Sequence, residues 1–72
     1  MFNIYGVYVG TSFDPAGDKV VEYTASIGDA KKIAAQLKRN GYPFVTVMQV
    51  SGASKRIDRD NALAKLRTLI SQ

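Results

Sequence analysis

The sequence contains no cysteine, no histidine and no tryptophan. Without Cys there is no disulfide staple, no thiolate nucleophile and no cysteine-based zinc site; without His the commonest general base and metal ligand are missing. Most familiar catalytic constellations are thereby excluded, so a non-enzymatic protein without metal or cofactor is the expectation. Long hydrophobic runs are absent too. No stretch approaches the roughly 18 consecutive apolar residues of a membrane span, and the N-terminus lacks the charged-then-apolar pattern of a secretory signal. These features predict a soluble, cytoplasmic protein with no membrane partner. Acidic charge is scarce: six Asp and Glu stand against ten Lys and Arg, a net +4.

What remains is the composition of a folded chain. At 46% apolar and 22% charged residues, it lies far from the low-hydropathy, high-charge regime of disorder. Its 72 residues suffice for one domain, spanning 1–72. A single core of this size rarely supplies more than ~3–5 kcal/mol, so close packing or self-association is needed.

Hydrophobic patterning orders the elements. Residues 2–9 are aromatic and β-branched on both faces, as in a central strand covered on both sides. Asp14-Pro15-Ala16-Gly17 has turn chemistry and reads as a hairpin loop. Residues 20–25 alternate as a second strand with one wetter face. Ser26 and Asp29 form a capping-box variant opening a helix over 27–40, with Ala30, Ile33, Ala34 and Leu37 on one stripe and Asn40-Gly41 as its stop. Residues 43–50 form a third strand and 51–54 a loop. A second helix runs over 58–71, with Asp58 as N-cap, Ile57 stapled against Ala62, and Ala62, Leu63, Leu66, Leu69 and Ile70 on its apolar face. The order ββαβα with a right-handed crossover gives an α+β fold, a three-stranded sheet of order 2-1-3 with two helices packed on one face.

Charge is divided unevenly along this order. Residues 1–26 hold Lys19 against Asp14, Asp18 and Glu22, a net −2, whereas residues 27–72 hold nine basic and three acidic residues, a net +6. Lys31, Lys32, Lys38 and Arg39 decorate the first helix, and Lys55, Arg56 and Arg59 cluster where the second begins. Such residues either solvate helix faces or meet a phosphate-bearing or acidic partner. The second cluster opposes the helix dipole, which leaves its presence unexplained by helix stability, although Asp58 and Asp60 offer pairing. The uncovered sheet face should carry Ile4, Gly6, Tyr8, Val20, Glu22, Thr24, Phe44, Thr46 and Met48, or the alternate set if the register is shifted by one. A face so apolar marks a partner surface or a homodimer interface. Tyr8 and Phe44 are also candidate base-stacking platforms, against which Glu22 among them counts. Asp58 and Asp60 at i, i+2 on a helical turn point apart and make no metal pair.

Ser26, Ala30-Lys31-Lys32-Ile33-Ala34 on the helix and Thr46-Val47-Met48-Gln49-Val50 on the following strand resemble the strand-helix-strand core of small phage anti-CRISPR proteins that inhibit type I effector complexes. The likeness covers about a third of the chain and ends after residue 52, where a helix replaces further strands. It implies a non-enzymatic inhibitor that docks on an RNA-guided effector complex where target DNA is received, and it transfers no binding residue by position. Asp29 to Ile33 with Leu37 to Tyr42 is similar to the helix and strand of peptidoglycan-binding SPOR repeats, which need a further strand and an export route. The expectation is thus a small protein-binding inhibitor, with a basic nucleic-acid-binding module as the alternative.

Overall fold

A computed structural model describes residues 1–10 and 19–71, with side chains to Ile70. The expected turn at Asp14 to Gly17 lies outside the described residues. The elements are β1 (Phe2–Val9), β2 (Lys19–Thr24), α1 (Ile27–Arg39), β3 (Val45–Ala53) and α2 (Arg56–Ser71). They form an α+β fold of order ββαβα around an antiparallel three-stranded sheet, β2-β1-β3, with β1 central as its two-sided hydrophobicity predicts.

The termini of α1 follow local chemistry. Ser26 is the N-cap, its hydroxyl accepting the Asp29 N–H at 3.4 Å, while the Thr24 hydroxyl donates to the Ser26 carbonyl at 2.7 Å. At the other end Gly41 adopts φ +100. Its N–H reaches the Lys38 carbonyl and the Tyr42 N–H reaches that of Leu37, the paired closure that a left-handed residue after a helix makes. The helix lays Ala30 and Ala34 directly on Val7, and Tyr5, Ile33, Leu37, Val45 and Val47 surround them. Two alanines on the inner stripe let the helix axis approach the sheet closely.

Two irregularities break strict alternation. Val7 faces Glu22 while Tyr8 faces Val20, leaving Val21 as an extra residue; Ile4 faces Ser51 while Tyr5 faces Gln49, leaving Val50 as another. Each is a bulge that reverses which face the following residues take. Glu22 and Thr24 therefore lie opposite Val7 and Tyr5, on the α1 side, and the expected grouping of both with Ile4, Gly6 and Tyr8 is corrected. Tyr23 takes that place opposite Gly6. Phe44 precedes β3, its carbonyl accepting the Gly10 N–H at 2.9 Å.

β3 continues through Ala53, where a loop was expected over 51–54 from the small residues there. Pairing with the start of β1 overrides that propensity: Phe2 faces Ala53 and Asn3 faces Gly52. The approach is close, since a Cβ on Gly52 would lie 2.8 Å from Asn3 Oδ1. α2 then begins at Arg56, two residues ahead of the expected start. Asp58 is not the N-cap but sits inside the first turn, where its charge still complements the dipole. Ile57 is 66% exposed and makes no staple, and Leu69 at 64% leaves the apolar stripe. Leu63 is buried, with Ala62, Leu66 and Ile70 half-buried beside it. No Cα of α1 comes within 8 Å of one of α2: α1 covers the Val7 face, whereas α2 stands over the Phe2 and Tyr23 side of the sheet, so the expected packing of both helices on one face is corrected.

Candidate binding surfaces

The wheel that buries Ala30 and Ala34 turns Lys31, Lys32, Lys38 and Arg39 outward, and all four are exposed. Lys38 and Arg39 occupy the last turn, where they complement the dipole. Lys55 and Arg56 are exposed at the N-terminus of α2, where the Lys55 carbonyl accepts the Arg59 N–H. Among the described residues Lys31, Lys32, Lys38, Arg39, Lys55, Arg56 and Lys65 form no ion pair.

Arg59 differs from the rest of its cluster. Its side chain is only 15% exposed, its Nε lies 2.7 Å from Asp60 Oδ1, and its guanidinium stands 5.6 Å over the Phe2 ring. A cation held over an aromatic face and paired to a carboxylate is occupied in anchoring the start of α2 to β1. Sequence reasoning grouped Arg59 with Lys55 and Arg56; the structure separates them.

Two grooves border α2. One, of about 500 Å³, is lined by Glu22, Thr24 and Ala25 from β2 and its exit, Asp29, Lys32 and Ile33 from α1, and Leu63 and Arg67 from α2. Arg67 Nε donates to the Tyr23 carbonyl at 3.2 Å and lies 3.7 Å from Glu22 Oε1. The second, of about 410 Å³, lies between Tyr23, Val50 and Ser51 of the sheet and Ala62, Lys65 and Leu66 of α2. Neither Arg67 nor Tyr23 was singled out from the sequence. The position of Arg67 beside the 63-66-70 stripe was the signal for the first, whereas the bulge at Val21 hid the second.

On the Gly6 face, the Tyr8 ring lies over Gly6 so closely that a Cβ there would come 2.7 Å from Tyr8 Cε2. Burial, followed by the charge and hydroxyl of neighbouring Tyr23, pushes the Tyr8 phenol above its ordinary value of 10.0. At neutral pH it is a neutral hydroxyl. Ile4, Gly6, Tyr8, Tyr23, Thr46 and Met48 share this face by register, but it is not bare as expected: Ile4 is 1% exposed and Tyr23 borders Ala62 and Leu66 of α2, which leaves the Met48 end, 42% exposed, as the open part. Phe44, expected among them, sits half-buried ahead of β3. Among the described residues no group of acidic side chains is placed to hold a metal ion, and no buried side-chain polar atom lacks a partner. No described helix is long and apolar enough to cross a membrane. The surfaces are suited to contact: unpaired cations on the helices, and a carboxylate-free aromatic face on the sheet. Neither a protein family, nor a curated protein, nor a solved structure matches this chain.

Proposed function

We propose that the chain is a non-enzymatic binding protein that docks through its helical cations on host nucleic-acid-handling protein machinery, as a small inhibitor of phage or mobile-element type. The observation that carries the reading is the set of exposed lysines and arginines on α1 and at the start of α2 that have no carboxylate partner among the described residues. A surface that spends no acid on neutralising its cations is built to meet negative charge, and such complementarity gives specificity and fast association. A type I RNA-guided effector complex is the partner that the resemblance implies, and its DNA-receiving surface is the expected site of docking.

A second reading, direct binding of single-stranded nucleic acid, gains from one observation. Glu22 would repel phosphates on the Tyr8 face, but the bulge at Val21 moves it to the α1 side. Tyr8 and Tyr23 then form a carboxylate-free platform of the kind on which bases stack.

One experiment separates the two. Binding of the chain to a purified type I effector complex, with and without its target DNA, is measured alongside fluorescence anisotropy on naked DNA and RNA, both across roughly 50–200 mM salt. Saturable binding to the complex that target DNA competes away, and that Lys31→Glu with Lys32→Glu weakens, supports the inhibitor. Absence of that binding together with salt-steep affinity for naked nucleic acid overturns it in favour of the second reading.

A further inference from the structure

The two edges of the sheet are unlike. β2 carries Lys19 and Glu22, and the Arg67 guanidinium sits on its Tyr23 carbonyl. β3 is paired on one side only, by β1, and among the described residues no other backbone group meets it. From Pro43 to Ser54 the sequence has no charged residue at all, in a chain of net +4. Sheet edges are ordinarily blunted by a charge, a proline, a short strand or a cover. β3 is nine residues long, has no proline and no charge within it, and bears only the bulge at Val50.

We propose that this edge pairs with β3 of a second copy of the chain, antiparallel about a two-fold axis, joining the two sheets into one of six strands. The pairing is centred on the regular segment Val45–Gln49, ahead of the bulge. Two features favour a second copy over an unrelated strand. An antiparallel pair of identical strands is self-complementary and uses up both β3 edges, leaving only the two β2 edges outside. Two copies with net positive charge repel over most of their surfaces, and β3 is the place where they meet without setting like charges opposite each other. The dimer sets two Gly6–Tyr8–Met48 faces side by side and leaves the helical cations free.

Sedimentation velocity from low micromolar to near-millimolar protein, with hydrogen exchange on the same samples, tests this. The expected result is a species of twice 7.9 kDa whose population rises together with protection of β3 amides. Met48→Lys, at a 42% exposed position, puts like charges close to the axis and is expected to weaken dimerisation roughly tenfold while leaving the monomer folded. Should that variant lose its circular dichroism, Gln49→Lys, also exposed, makes the same test. Leu69→Lys on α2 should leave the dimer unchanged. A chain that stays monomeric throughout, a dimer that tolerates the folded edge variants, or protection confined to elements other than β3 overturns the proposal. Because both edge variants keep the helical cations, their binding to the effector complex reports separately on the proposed function.

Discussion

Val7→Ala is the most exacting test of the packing. Val7 is fully buried in β1 and lies against Ala30 and Ala34, under a ring of Tyr5, Ile33, Leu37, Val45 and Val47. Its truncation removes two methyl-sized groups, worth about 0.8 kcal/mol each in transfer free energy. The neighbours cannot close the gap, because α1 already meets the sheet through two alanines. A cavity term therefore adds to the transfer term, for a total of about 2–3 kcal/mol. In a domain whose single core holds ~3–5 kcal/mol that is about half the margin or more. The melting temperature should fall by about 10–20 °C, at 4–8 °C per kcal/mol for a domain of this size. Thermal and urea unfolding followed by circular dichroism, at one fixed protein concentration, reads the loss. A fall of under about 4 °C would refute the placement of Val7 beneath α1.

Other expectations concern the helix stop, the phenol and the cationic face. Gly41→Ala forces a side chain into φ +100 and should cost about 1 kcal/mol in urea unfolding, with Gly41→Asn losing less. The Tyr8 phenol should titrate above 10.0 in ultraviolet difference spectra, and Tyr23→Phe should bring it partway down. Because its folded pKa is raised, the native state holds the proton longer than the unfolded chain. This contribution to stability is full below about pH 10 and is lost as pH rises through the folded pKa. Lys31→Glu with Lys32→Glu, both exposed, should stay within about 1 kcal/mol of the parent stability, and a larger loss in thermal melts would overturn the helix register.

The legible parts of the fold were those governed by short-range rules. Ser26, the 30-33-34-37 stripe and Gly41 each state a helix requirement within a few residues, and α1 lies where they put it. The bounds of β1 were written in its own composition. The bulges at Val21 and Val50 were not, because they arise from how two strands meet across the sheet, and neither strand alone shows the extra residue. The same bulge decided which of Glu22 and Tyr23 faces Gly6, and with it the chemistry of one candidate surface. At α2, Asp58 and Ile57 matched a cap and a staple by type. The structure starts the helix at Arg56 and holds it near β1 through Arg59 over Phe2, a contact across the sequence that no local pattern encodes.

The central place of β1 also has a bearing on time. β1 can zip with β2 as a hairpin early, but its longer ladder waits for β3, which joins Phe2 to Ala53 and Val9 to Val45. The intervening chain must be drawn in before those contacts repay the entropy of closing so wide a loop. Assembly of this small domain is therefore set by a distant pairing, and its folding belongs with the slower mixed and sheet-rich domains instead of the helical bundles. Until β3 arrives, one side of β1 is bare, and the time spent in that state grows with every change that weakens the late strand.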